Sequence, residues 1–386
     1  MEIYKHVIIV IFMKVPFFVP WITNKDKQNV LKSLNQRWLT NGTFLQKFES
    51  NFQKYISSTY SIGVGSGAQA LHLAVRGLGI GPGDEVIVPS FTFVATANAV
   101  TSCGAKPVFA DVDLDTFNIS IDSIEKLITK KTKAIIPVHY AGQSCDMDKI
   151  NSISKKNNLK IIEDCAHALG STFKNNKCGN LGAVGCFSFY PTKIITTGEG
   201  GMVTCNNLEL FKKIKILKSQ AMSISSNERE KLATWKYDVT DLGYNYRLDE
   251  IRSSLGFSQL FRVDQINKMR IKLASIYTNS LSKIKGIETP IIKDNRNHIF
   301  HLYSIKITDE YPLTRDELYQ KLTQKGIGTS VQYTPVHLMS YYKKKNKNRS
   351  LKNSEKLMNQ VLCLPIFPKM KLKEIQYVIK NIKILN

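Results

Sequence analysis

The chain has 386 residues, 43% of them hydrophobic, enough for a sizeable core and two folded units, which excludes a disordered or low-complexity polypeptide. Its 54 Lys and Arg against 31 Asp and Glu leave a net charge of +23, which invites anionic partners, yet no basic helix with interleaved aromatics and no nucleic-acid motif is present. The seven cysteines (Cys103, Cys145, Cys165, Cys178, Cys186, Cys205 and Cys363) are scattered singly without a CxxC pair, so they indicate neither a zinc site nor a disulfide framework and fit a reducing, cytoplasmic setting.

At the N-terminus, residues 7–13 form an apolar run after Lys5 that imitates a signal peptide. No small-x-small cleavage site follows, Lys14 interrupts the run, and it is too short to span a bilayer. Met13 is the alternative start, with residues 1–12 an extension. A membrane partner is therefore not expected.

Residues 26–34 place Val30, Leu31 and Leu34 at helical spacing, and 38–42 (Trp-Leu-Thr-Asn-Gly) reads as a turn. Phe44, Phe48, Phe52 and Tyr55 recur every three or four residues, which predicts a core-facing helix over 44–55. A short strand at 61–65 runs into Ser66-Gly67-Ala68-Gln69, which opens a helix to Arg76. A glycine turn at a helix start offers free N–H groups and the positive end of the dipole, which suits a phosphate, although one glycine alone is weak ground. The strand 85–89 leads to Phe93, a core aromatic or else a platform under a flat cofactor. Strands at 107–110 and 133–138 then alternate with helices at 121–128 and 147–156.

The strand 159–164 ends in Glu163 and Asp164, and the strand 184–190 ends at Pro191, just before Lys193. Lys193 precedes Ile194 and Ile195, so burial there would lower its pKa from about 10.4 and free the amine as a nucleophile. A structural lysine with a buried stem and a wet amine fits this stretch as well. In parallel α/β sheets, site residues gather at the carboxyl ends of strands, where both Asp164 and Lys193 would sit. A carboxylate for a pyridinium nitrogen and an amine for an aldehyde carbon are the minimum kit for pyridoxal phosphate.

The alternation from 61 to about 220 predicts a largely parallel sheet covered by helices on both faces. The Gly200-Gly201 turn is too short for a crossover helix, so an antiparallel neighbour is expected before the strand 202–205 and the helix 208–217. Near residue 260 the pattern changes. A long helix over 264–284 leads to a second unit with strands at 302–307 and 329–333 and helices at 315–324, 351–361 and 373–384. The Lys- and Asn-rich stretch 341–356 reads as a solvated loop, with a grip on a substrate diphosphate as a further reading.

Together the pieces RWLTNG, SGAQALHLA, PSFTFVATANAV, TKAIIPVHYAG, IIEDCAHALGS, GCFSFYPTKIITTGEGG, GYNYRLDEI and GIGTSVQYTPVH resemble the DegT/DnrJ/EryC1/StrS family of nucleotide-sugar aminotransferases, from about Val15 to the end. The chain is similar in particular to its UDP-4-amino-sugar members. The resemblance implies an α/β protein of the PLP-dependent transferase fold type I (aspartate aminotransferase-like). It would have a large, mostly parallel seven-stranded sheet domain over 13–260 and a smaller C-terminal α/β domain over 261–386.

The resemblance also implies pyridoxal 5'-phosphate as cofactor and no metal. Lys193 matches the lysine that carries the cofactor and later shuttles a proton, and Asp164 the aspartate on the pyridine nitrogen. His167 stands near the cofactor's phenolate oxygen, and Phe93 matches the aromatic stacked on the ring. Ser188, with Gly67, Ala68 and Gln69, matches the phosphate ligands. Many members have Thr and Asp where this chain has Ala68 and Gln69, which leaves the backbone donors but not the side-chain contacts. Asn245 matches an asparagine that reaches the phosphate from a partner subunit, which implies a homodimer with shared active sites. His337, Thr40, Asn41 and Arg247 are the substrate-side candidates, a structural salt bridge being the other reading of Arg247.

The reaction implied is amination of a keto group, at C4 or C3, on a nucleotide-diphosphate sugar. L-glutamate would be the donor and the product an amino sugar for a surface glycan or secondary metabolite. Relatives with histidine in place of the lysine are sugar dehydratases, and Lys193 favours transamination over that reading. A dehydratase or deoxygenase acting through the same cofactor, and a non-enzymatic regulator, are the alternatives.

Overall fold

The computed structural model describes residues 13–224, 226–345 and 350–385. The expected extension at 1–12 lies outside the described residues, as do residues 346–349 of the Lys-rich stretch. The chain opens with α1 (Asn24–Leu34) and α2 (Thr43–Ile56). The first turn of α2 has no capping side chain of its own. Instead the buried Glu250 carboxylate accepts the N–H groups of Gly42, Phe44 and Leu45 at 2.9, 2.7 and 3.0 Å. Donors with no partner inside the helix are thus satisfied by an acid 200 residues on, and negative charge sits at the positive helix end.

The large sheet uses β1 (Tyr60–Val64), β2 (Glu85–Pro89), β3 (Lys106–Ala110), β4 (Thr132–Ile135) and β5 (Lys160–Asp164). After a small hairpin of β6 (Thr172–Phe173) and β7 (Asn176–Lys177) come β8 (Val184–Ser188) and β9 (Gly201–Cys205). The order is β1-β9-β8-β5-β4-β2-β3. Only β9 runs against the rest, antiparallel to both β1 and β8. The short Gly200 turn gives that reversal, as expected. The carboxyl ends of the other six strands therefore share one edge of the sheet. Strands such as β2 and β9 are buried along their whole length, because helices cover both faces.

A second, antiparallel sheet holds β10 (Ile287–Glu288), β11 (Tyr303–Ile307) and β12 (Val361–Leu364) in that order. The helix Val263–Leu281 leads into it, and helices Arg315–Gln324 and Leu372–Ile384 pack on it. Two expectations fail here. Residues 329–333 form no strand; only Ser330 pairs, with Cys363. The strand is instead Val361–Leu364, directly after a helix that ends at Gln360. A four-residue apolar run abutting a helix carries no period to separate the two. The stretch 341–356 also takes in most of the helix Ser340–Lys343 and the start of the helix Lys352–Gln360, so it is not a loop throughout. Val15 pairs with Ile327 and is fully buried in the core of the smaller sheet, so the chain's beginning does not follow a division at residue 260.

Candidate active site

Five segments meet along the shared edge: the turn after β1, the loop after β2 with Phe93, the turn after β4, the Asp164–His167 segment after β5, and the Ser188–Lys193 segment after β8. An aromatic cluster sets the last of these. Phe52 packs edge-on to Phe187 at 5.0 Å and to Phe189 at 5.8 Å, and Phe48 lies 5.3 Å from Phe189. Backbone bonds then close the turn, with Phe189 N–H donating to Gly200 O (2.8 Å) and Lys193 N–H to Tyr190 O (2.9 Å). Ile194 and Ile195 are buried on the far side. Lys193 is thus fixed at both ends by apolar packing, as its neighbours in the sequence suggest.

Lys193 is half-buried, and burial pushes its ammonium down to about 8 even though Asp164 draws it the other way. Asp164 is buried, and burial raises its carboxyl even though Ala166 N–H, Thr96 and Lys193 all favour the charged form. The two groups are close enough to feel each other's charge, yet desolvation outweighs the attraction at both. Asp164 Oδ2 accepts from Thr96 Oγ1 (2.9 Å) and Oδ1 from Ala166 N–H (3.1 Å). Two of about four acceptor positions on the carboxylate are filled, which leaves room for a cationic N–H donor.

Glu163, the other acid of this strand end, faces away from Asp164, as alternate strand residues do. It is fully buried and accepts from Gly179, Leu181 and Gly182 N–H at 2.8, 2.7 and 2.7 Å. His139 Nδ1 accepts from Cys145 N–H at 3.1 Å, so its proton is on Nε2, 2.9 Å from Glu163 Oε2. Cys178 Sγ lies within 4.8 Å of both, but each Glu163 oxygen is already committed to donors. The cluster ties β5 to the 179–182 turn and is structural.

The phosphate candidates converge. The helix α3 (Gly67–Gly77) starts at Ser66, whose Oγ accepts from Gln69 N–H at 3.2 Å. The Gly67 and Ala68 N–H groups have no partner among the described residues. A Cβ on Gly67 would sit 2.7 Å from Ser188 Cβ, so only glycine lets the helix start this close to the end of β8. Gln69 Oε1 is buried without a partner beside this turn. Free helix-start donors, a hydroxyl and a close backbone approach fit a phosphate. With Asp164 and Lys193, they fit pyridoxal phosphate as a whole.

Phe93 is 58% exposed, which removes the core reading, and its ring lies 6.1 Å from that of Tyr333. The His167 ring has both nitrogens engaged: Nδ1 accepts from Ala141 N–H (3.3 Å), and Nε2 lies 3.0 Å from Tyr333 Oη. Burial, and then the Lys193 charge, hold it well below the ordinary histidine pKa. Tyr333 is a site residue that sequence reasoning passed over. Its only signal is the position in the VQYTPVH stretch, four residues before a histidine that drew attention instead.

That histidine is corrected by the structure. His337 is 3% exposed, and its ring bridges Ser90 Oγ (2.6 Å) and Glu355 Oε1 (3.2 Å). Both nitrogens are spent in clamping the end of β2 to the helix Lys352–Gln360, which leaves no imidazole edge for a substrate. Thr40 pairs with Asp249 and Arg247 with Val64, so Thr40, Asn41 and Arg247 share one neighbourhood beside the end of β1. No hydrogen bond or ion pair joins them to Lys193 or Asp164 among the described residues. Arg247 makes no ion pair among those residues, so the salt-bridge reading lacks a partner and its charge is unspent. Asn245 is exposed and its backbone pairs with Ser219.

The sequence pattern of the DegT/DnrJ/EryC1/StrS aminotransferase family matches residues 20–383. A GDP-perosamine synthase from Caulobacter vibrioides is 39% identical over 325 residues, which cover 84% of this chain and 85% of that protein. Among solved structures, Helicobacter pylori PseC, an aminotransferase involved in the biosynthesis of pseudoaminic acid, superposes with a TM-score of 0.90 at 30% identity, over 97% of this chain and 99% of its own. The PLP-form of the putative sugar aminotransferase Spr1654 from Streptococcus pneumoniae gives a TM-score of 0.89 at 29% identity, over 97% and 98%.

Proposed function

The chain belongs to the DegT/DnrJ/EryC1/StrS aminotransferase family, and from that premise we propose that it moves the amino group of L-glutamate onto the keto carbon, C4 or C3, of a nucleotide-diphosphate sugar. Its cofactor is pyridoxal phosphate, which supplies an electron sink for the carbanion formed when a substrate C–H bond is broken. The observation that carries the reading is the pair of Asp164 and Lys193 on neighbouring strand ends, each desolvated enough to outweigh its attraction to the other.

The residues divide the work. Asp164, held in place by Thr96 and Ala166, keeps a proton on the ring nitrogen. Lys193 carries the cofactor and, when its amine is free, takes and returns the proton at the substrate carbon. The free Gly67 and Ala68 N–H groups at the start of α3, with the side-chain amide of Gln69 and the Ser188 hydroxyl, hold the phosphate, and Phe93 covers one ring face. Thr40, Asn41 and Arg247 hold the sugar nucleotide, the unspent Arg247 charge suiting its diphosphate. A panel of UDP-, dTDP- and GDP-keto sugars incubated with glutamate tests this. One sugar should yield 2-oxoglutarate and aminated product in equal amounts. Loss of water from the sugar without 2-oxoglutarate would favour the dehydratase reading instead.

The segment before Asn245 leaves Trp235 81% exposed and Leu242 69% exposed, with Tyr237 and Val239 also open. A second copy of the chain would cover these side chains, and Asn245 would complete the phosphate site of that copy. Lys193→Ala and Asn245→Ala chains, each inactive alone, should therefore regain about a quarter of wild-type activity when mixed, since a mixed dimer has one intact site. Failure to regain any activity would leave each chain with a self-sufficient site.

A further inference from the structure

His167 and Tyr333 show how one corner of the site is polarised, if the chain is the pyridoxal-phosphate enzyme of the preceding reading. The Ala141 N–H can only donate, so His167 Nδ1, 3.3 Å away, is the acceptor and the single proton of the neutral ring is on Nε2. Nε2 then donates to Tyr333 Oη at 3.0 Å. Tyr333 is left with its own hydrogen and no partner for it among the described residues. His167 has no donor left for anything else.

The segment that carries Tyr333 is pinned at three points. Ser330 exchanges backbone bonds with Cys363 at 3.1 and 2.8 Å. The Tyr140 hydroxyl donates to Gln332 O at 2.6 Å. Val336 N–H donates to Ser90 O at 2.8 Å. The Tyr333 ring lies 6.1 Å from that of Phe93, at the open mouth of the site. On the other side, the buried His301 ring packs 4.3 Å from the His167 ring, and no hydrogen bond joins the two rings among the described residues.

We propose that Tyr333, rather than His167, is the hydrogen-bond donor to an acceptor oxygen of the bound group, and that His167 is the positioning residue that fixes the direction of that donation. The acceptor is an oxygen bonded to carbon, either on the cofactor ring or on the sugar. Sequence resemblance assigns the oxygen contact to the imidazole; the structure passes it one residue outward.

The test uses full-length protein loaded with pyridoxal phosphate, as wild type, Tyr333→Phe, His167→Leu and the double variant. If the acceptor is on the cofactor, Tyr333→Phe moves the pH midpoint of the bound cofactor's visible absorbance by about one unit, the scale of one lost hydrogen bond to a charged oxygen. If it is on the sugar, the midpoint and the reaction with glutamate stay at wild-type values while the reaction with keto sugar slows about tenfold. In either case His167→Leu follows Tyr333→Phe in the same readout, and the double variant loses no more than the larger single loss, because the two side chains act in series. The proposal is overturned if Tyr333→Phe leaves the midpoint and both reactions within twofold of wild type, or if the two losses simply multiply. The midpoint needs no sugar, so it still reads if no member of the sugar panel is aminated.

Discussion

Replacing Lys193 with alanine should lower amination of the keto sugar by about 10⁴-fold or more, the scale of loss when a nucleophile that works as a unit with its neighbours is deleted. Borohydride treatment of the wild-type protein with pyridoxal phosphate should fix the cofactor on the peptide that contains Lys193, and the variant should retain none at that position. Retained turnover would remove Lys193 from its role. The physical basis is desolvation. With its ammonium pushed down to about 8, roughly a tenth of Lys193 is free amine at pH 7, against less than about a thousandth for an ordinary lysine.

The sign of the pH dependence follows. Labelling of Lys193 in the cofactor-free protein by an amine-directed reagent should rise with pH, reach half its maximum near 8 and level off above it. A midpoint above 10 would place the side chain in water. The same shift acts on stability. Between about 8 and 10.5 the unfolded chain holds a proton on this lysine that the folded chain has lost, so its unfavourable contribution fades as pH rises through that window.

Asp164 carries the second large effect. Asp164→Ala should cost about 10³-fold or more in turnover, because it removes the charge that holds the ring nitrogen's proton in a buried setting. Asp164→Glu keeps the charge and should lose much less; equal, near-wild-type rates for both would count against the pairing. Stability of the cofactor-free protein should move the opposite way. Burial raises the Asp164 carboxyl, so above pH 3.8 the folded chain holds a proton that the unfolded chain releases. Stability therefore falls as pH rises from 3.8 through the folded-state pKa, and the loss is complete above it. Asp164→Asn, which keeps the shape without the charge, should melt higher than wild type at pH 7, with the gap closing toward pH 4. A site built for catalysis costs stability until its ligand arrives.

Much of this was legible in the sequence, for reasons that can be named residue by residue. The apolar runs of β2 and β5 and the helical stripe of Phe44, Phe48 and Phe52 mark buried elements because burial imposes its own period on the chain. The positions of Asp164 and Lys193 at strand ends were also legible, because neither acid nor amine fits the apolar middle of a strand.

Other features depended on contacts between residues far apart in the chain. Glu250 caps a helix 200 residues earlier, and nothing near it in sequence announces that. Val361–Leu364 became a strand only because β11 was there to pair with it. His337 was drawn into a clamp by Ser90 and Glu355, while Tyr333 took the position facing the site. Sequence alone determined the alternation of strands and helices through the large sheet and the placing of Asp164 and Lys193 at strand ends, since those depend on local pattern and on the cost of burying charge. Tertiary structure decided which polar groups spend their hydrogen bonds on the protein and which keep them for a ligand, because each such bond needs a partner that only the folded chain brings within reach.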